Sequence, residues 1–206
     1  MRFKDLVARE SPVIFEIGAN NGDDSVKLLN EFINPIYHGF EPDKEVFNIL
    51  EQRLSGFNGK IYLTCAAVSD FSGEAEFYVA NNTYSSSLKK PVLHKEIYPN
   101  VLFDKKAIVK TITLDQYARD NNISHCDLAW IDVQGAEDLV IKGGTEFFKN
   151  TKYIYTEFSN VELYEKALNQ FGIIELLPYF KMVAVVPEAP SYGNVLLENT
   201  RMADYL

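Results

Sequence analysis

"VIFEIGANNGDDSVKLL", residues 13–29, is an apolar run, then a turn rich in Gly and Asn, then a segment in which Val26, Leu29 and, beyond it, Ile33 recur at helical spacing. Strand, glycine turn and helix N-terminus in that order is how many α/β proteins build a nucleotide pocket. Working outward, strand-like runs such as "PIYHGFE", "KIYLTCAAV", "IVKTIT", "DLAWIDV" and "YIYTEFS" alternate with helical stretches, among them Phe47, Leu50 and Leu54. Such alternation from the start implies right-handed crossovers and a mainly parallel sheet.

Two regions break the alternation. "AAVSDFSGEAEFYVA" places the turn signal "DFSGE" between extended runs and predicts a hairpin. Residues 81–106 have weak periodicity and two prolines, and an irregular segment of that length inside one domain suggests a lid or acceptor loop. From Ile173 onward, "IIELLPY", "MVAVVP" and "NVLLEN" read as antiparallel strands closing one sheet edge.

At 206 residues and 47% hydrophobic composition the chain is sized for one domain, 1–206. A net charge of −9 without a basic run argues against nucleic acid as partner. No apolar stretch approaches the roughly 20 residues of a membrane span and the first residues lack a secretory apolar region, so a soluble, cytoplasmic protein away from membranes is expected. Cys65 and Cys126 lie far apart and in no metal-like spacing, as expected of reduced, buried thiols.

The turn "GANNG" carries no "GK[ST]", so it lacks the lysine that a Walker A loop uses on phosphates, and G-x-G-x-x-G is absent as well. Asp23 and Asp24 stand where the next helix begins and Glu16 lies two residues before Gly18. Such acids stabilise a helix N-terminus, and they also repel a pyrophosphate. The turn suits a cationic ligand, and S-adenosylmethionine carries a sulfonium and an ammonium but no phosphate. In that reading Glu16 accepts from the ammonium, while Asn20, Ser25 and backbone N–H groups near Gly22 hold the carboxylate. Glu41, 23 residues past Gly18, accepts from the ribose hydroxyls; its alternative role is as a helix cap ahead of Pro42 and Asp43. Ala66 and Ala67 leave room for a flat adenine, or simply pack.

"DLAWIDVQGAEDLVIKGG" repeats the geometry, with Asp132 ending one strand and Glu157 ending the next. These acids are candidates for a general base on an acceptor hydroxyl, or for oxygen ligands of a Mg²⁺-like cation, or, for Asp132 alone, for positioning the cofactor. Glu137 and Asp138 read as acids of a helix N-terminus.

In that order, "FEIGANNGDDS", "GFEPD", "AAVSDFSGEAEF", "SSSL", "TLDQYARDN" and "WIDVQGAEDLVIKGG" resemble the motifs of the FkbM-type methyltransferases, from about Val13 to Glu157. The resemblance implies an α/β, Rossmann-like class I methyltransferase fold. Its seven-stranded, mostly parallel sheet has an antiparallel C-terminal edge and helices on both faces. It also implies O-methylation of a hydroxyl on a sugar or another small natural product. Carried onto this chain, the family pattern sets the cofactor against Glu16, Gly18, Asn20, Gly22, Ser25, Glu41 with Pro42, Ala67, Val68 and Asp132. Two departures stand out. Glu16 replaces a common Asp, and Gln134 stands where family members commonly have Glu, which puts a catalytic or metal role there in doubt.

The 81–106 loop holds five lysines against Glu96 and Asp104, net +3, which suggests an anionic acceptor such as an anionic glycoside engaging Lys89 and Lys90. Tyr84, His94 and Tyr98 are candidates to stack on or hydrogen-bond a sugar, and His94 is a candidate base. His38 and Trp130 read as core. A homodimer is a further expectation. Two other functions compete with the methyltransferase: a nucleotide-dependent oxidoreductase, which the acidic turn disfavours, and a non-catalytic module that binds the cofactor or the acceptor.

Overall fold

In the computed structural model, which describes residues 2–202, the opening stretch divides where its pattern changes. A short helix α1 (Phe3–Val7) precedes strand β1 (Val13–Ile17), every residue of which is buried. Val13, Phe15 and Ile17 point to one face of the sheet and Ile14 to the other, as the two-residue period of a strand requires. Helix α2 (Asp23–Leu29) begins after Gly22, whose φ of 85° turns the chain, and carries Asp23 and Asp24 in its first turn.

β2 (Ile36–Phe40), α3 (Lys44–Leu54) and β3 (Lys60–Thr64) complete the first half. Asp43 caps α3 by accepting from Glu45 and Val46 N–H, and Val46, Phe47, Leu50 and Leu54 form its buried stripe. Next come β4 (Ala67–Val68), β5 (Gly73–Val79), α4 (His94–Ile97) and β6 (Lys105–Ile112). The rest comprises α5 (Leu114–Asp120), β7 (Cys126–Ile131), α6 (Glu137–Lys142), α7 (Thr145–Lys149), β8 (Thr151–Ser159), α8 (Gln170–Glu175), β9 (Phe180–Ala189) and β10 (Tyr192–Asn199).

The main sheet has seven strands in the order β3-β2-β1-β7-β8-β10-β9. The first five are mutually parallel, β10 runs antiparallel to β8, and β9 runs antiparallel to β10. One face packs on α1, α2 and α3 through Phe3, Leu28, Leu29 and Leu50, and the other on α5, α6, α7 and α8 through Leu114, Val140, Phe148 and Ile173. The strand order reverses between β1 and β7, and a crevice opens at the carboxyl ends of the strands at such a point.

Two expectations give way. "DFSGE" does not close a hairpin, because β6 inserts between β4 and β5 to make a separate three-stranded sheet, β4-β6-β5. "IIELLPY" is not a strand: Asn169 accepts from Phe171 and Gly172 N–H and starts α8, which buries Ile173 completely. A short, mostly apolar segment suits a buried helix turn as well as a strand, and the cap decides.

Candidate active site

A cavity of about 790 Å³ lies over the carboxyl ends of β1, β2, β4 and β7. Gly18 makes it possible. Its φ is 89°, and a Cβ built there would lie 1.8 Å from the carbonyl oxygen of Asp132, so β1 and β7 meet only because the side chain is missing. Among the described residues the cavity is lined by the acids Glu16, Asp23, Asp24, Glu41 and Asp132 and by no lysine or arginine.

Glu16 hangs from β1 and is held from behind. The fully buried Tyr37 hydroxyl donates to its Oε2 at 2.7 Å and lies 3.0 Å from Ser25 Oγ. Burial pushes the Glu16 carboxyl up to about 7, against the pull of those two hydroxyls. Glu41 accepts from Asn20 N–H (3.1 Å) and Asp43 N–H (2.8 Å), one bond to each oxygen, which aims the carboxylate while leaving lone pairs free. Burial raises it too, to about 7. Asn20, itself at φ 47°, accepts from Asn21 N–H and from the Thr83 hydroxyl, and Pro42, Ala67 and Val68 line the same wall. Gly22 and Ser25 do not reach the cavity: Gly22 backs onto Leu50, and Ser25 is fully buried with its hydroxyl in the Tyr37 network. Ser25, whose hydroxyl is sealed in that network, is therefore not placed to hold a ligand carboxylate, whereas Asn21, Asp23 and Asp24 beside Gly22 do line the cavity.

A second cavity, of about 950 Å³, opens beside the first and shares Tyr84, Asp132 and Gln134 with it. Glu157, His94, Tyr98, Tyr164, Glu188 and Tyr192 lie on its walls. Gln134, at φ 53°, sends one amide nitrogen to Asp132 Oδ1 (2.7 Å) and Glu157 Oε2 (3.0 Å) and is fixed by Ser87, whose hydroxyl donates to its carbonyl at 2.8 Å. Burial drives the Asp132 carboxyl up to about 6, the Gln134 amide opposing it. Glu157 rises well above the carboxylate range, through burial and then through the charges of Asp132 and Glu137. The pair therefore keeps a proton on Glu157 while Asp132 ionises. Burial holds His94 neutral by lowering its pKa.

The same amide argues against a Mg²⁺-like ion at Asp132 and Glu157. An N–H donor occupies the position between the two carboxylates that a cation would take, and no group of three acidic, His or Cys side chains among the described residues is arranged to hold a metal.

Residues 83–98 cross both cavities. Thr83 donates to Asn20, Tyr84 donates to Asp23 Oδ2 at 2.5 Å, and Tyr98 and Ser191 share a hydroxyl contact of 2.8 Å. Lys89, expected to face an acceptor, instead pairs with Asp138 at 2.6 Å, with both side chains only 12% exposed, and donates to the Lys166 carbonyl.

Residues 16–192 match the methyltransferase FkbM domain. The chain belongs to that family. This FkbM methyltransferase is 35% identical over 204 residues to the 2-O-methyltransferase NoeI of Sinorhizobium fredii (strain NBRC 101917 / NGR234), with 96% of this chain and 83% of that protein covered. Its fold resembles that of magnesium protoporphyrin IX methyltransferase (ChlM) from Synechocystis PCC 6803 with bound S-adenosylmethionine, at TM-score 0.54 and 8% identity over 95% of this chain and 77% of that one. Fibrillarin from Aeropyrum pernix, in complex with natively bound S-adenosyl-L-methionine, is similar at TM-score 0.52 and 12% identity over 92% and 67%. The expected class I architecture is thus present, and the protein is an S-adenosylmethionine-dependent methyltransferase. Among the described residues no helix is long and apolar enough to cross a membrane.

Sequence reading missed Tyr37, which braces Glu16, and Tyr192 and Glu188, which wall the second cavity. Tyr37 lies in an apolar strand run and the other two in a C-terminal hairpin without a motif. Trp130, read as core, packs on Phe3 and Tyr155 and also lines the cofactor cavity.

Proposed function

We propose that this FkbM methyltransferase, working as one domain beneath a lid at 81–106, methylates a hydroxyl of a sugar or similar small natural product. The observation that carries the reading is the position of Asp132, among the described residues the one carboxylate on the walls of both cavities. The 2-O-methyltransferase named above supports oxygen as the methylated atom.

Bound S-adenosylmethionine supplies a methyl group made electrophilic by the sulfonium. Glu16 would hold its ammonium, Glu41 its ribose hydroxyls, and the Ala67–Val68 wall its adenine. The acid-lined cavity suits that cation and disfavours the phosphates of a dinucleotide, which counts against an oxidoreductase. Asp132 is placed to accept the acceptor's hydroxyl proton as that oxygen takes up the methyl group, which bound S-adenosylmethionine would supply while departing as the neutral thioether. Glu157, the stronger proton holder, keeps Asp132 ionised beforehand through the Gln134 amide they share.

Incubation with S-adenosylmethionine and a panel of glycosides, followed by mass spectrometry and nuclear magnetic resonance, tests this. A methyl ether product that Asp132→Asn fails to make supports it. Methylation on nitrogen or carbon, or undiminished product from Asp132→Asn, overturns it.

A further inference from the structure

The second cavity has an electrostatic character that methyl transfer alone does not require. Asp132, Glu137, Glu157 and Glu188 line it, and among the described residues no lysine or arginine does. The lid's net positive charge, which suggests an anionic acceptor from sequence, is turned elsewhere: Lys89 is closed onto Asp138, Lys106 reaches Glu76 from β6, and Lys90, Lys95 and Lys105 stand away from both cavities.

A second feature marks the cavity as a ligand site. His94 is only 3% exposed and lies on its wall, and its Nδ1 is buried with no hydrogen-bond partner. An imidazole enclosed by Tyr98, Phe103 and Tyr164 loses its water on folding, so an unpaired nitrogen there is costly unless a ligand completes it. The hydroxyls of Tyr98 and Tyr192 and the ring of Phe158 add donors, acceptors and an apolar surface, the mixed lining that a pyranose ring presents to its surroundings. Glu188 sits at the exposed rim, on β9, where one oxygen accepts from Asn194 Nδ2 at 2.6 Å.

Resting on the methyltransferase reading of the paired cavities, we infer that the acceptor is a hydroxylated ring without negative charge, neutral or amino-substituted, and that Glu188 is the residue that turns anionic acceptors away. A carboxylate or phosphate entering past Glu188 meets like charge at the rim and again at Asp132, with no cation on the walls to offset it. An ammonium substituent meets the opposite sign.

The test uses the full chain saturated with S-adenosylhomocysteine and three matched forms of methyl gluco- and galactopyranoside: neutral, 2-amino and 6-carboxylate. Binding is read by saturation-transfer nuclear magnetic resonance and calorimetry, and turnover is read separately with S-adenosylmethionine. The neutral and amino forms should bind at least about tenfold more tightly than the carboxylates. Glu188→Lys should narrow that gap by about tenfold, with Glu188→Gln between the two, while thermal denaturation verifies that each variant is folded. Preference for the carboxylates, equal binding of all forms, binding of none, or a Glu188→Lys variant with an unchanged preference overturns the inference. Selective binding without methylation of any hydroxyl would instead leave the charge selection standing and break the methyl-transfer reading.

Discussion

Gly18 lies so close to the backbone of Asp132 that a methyl group built on its α-carbon would sit 1.8 Å from the Asp132 carbonyl oxygen. That contact joins the glycine turn after β1 to the acid that ends β7, the two neighbours at which strand order reverses. The positive φ and the clash with main chain leave Ala no accommodation, so Gly18→Ala should cost about 2–4 kcal/mol of stability and abolish cofactor binding. Thermal denaturation and calorimetric titration with S-adenosylmethionine check both. A variant that binds as the parent does would show that the turn has slack the geometry denies.

The lid is latched to the glycine turn by Tyr84, whose hydroxyl donates to Asp23, and by Thr83, whose hydroxyl donates to Asn20. Arg53 holds Asp23 from the other side. If these bonds retain the cofactor, Tyr84→Phe should speed its dissociation several-fold with little effect on Tm, since the ring stays and only a solvent-accessible contact is lost. Stopped-flow displacement measures the rate. An unchanged rate would place cofactor exchange elsewhere on the cavity rim.

How far this site is legible in sequence depends on how local each signal is. β1, Gly18 and α2 occupy seventeen consecutive residues, and Glu41 follows at the spacing a βαβ unit imposes, so the cofactor wall can be read almost whole. Lys89 could not be read, because the partner that removes it from the acceptor, Asp138, is forty-nine residues away on α6. The hairpin expected at "DFSGE" fails for the same reason: β6, some thirty residues on, takes the place between β4 and β5. Tyr37 carries no signal at all, since a tyrosine in an apolar strand is ordinary core until its hydroxyl is seen to meet Glu16.

Burial raises the carboxyls of Glu16, Glu41 and Glu137 to about 7, whereas in the unfolded chain they titrate near their ordinary values. Between about 4.5 and 7 the folded protein therefore binds more protons, so this contribution to stability is complete below that window and lost as pH rises through it. The Tm of the ligand-free protein should fall from pH 5 to pH 7.5. A cationic cofactor favours the ionised acids, so its binding should release protons near pH 6.5 and tighten as pH rises. Calorimetry in buffers of different ionisation enthalpy reads the release. Proton uptake, or a Tm that climbs across the window, contradicts the assignment.

Asp132 and Glu157 are joined by a single amide nitrogen of Gln134, and this link governs the last prediction. With Asp132 at about 6 in the ligand-free site and a cationic cofactor favouring its ionised form, kcat should rise with pH through a limb at or below that value and then level off. Gln134→Glu removes the donor and adds like charge, so the rising limb should move to higher pH by more than about one unit. Glu157→Gln, which replaces the protonated acid with a neutral amide, should leave the limb in place and lower kcat by disturbing the Gln134 amide that the two residues share, with the KM for S-adenosylmethionine unchanged because Glu157 does not line the cofactor cavity. Asp132→Asn should lose about 10²–10⁴ in kcat and abolish the limb altogether. A limb that moves with Gln134→Glu, stays with Glu157→Gln and vanishes with Asp132→Asn separates a proton acceptor at Asp132 from a merely structural acid, which would lower activity without moving the profile.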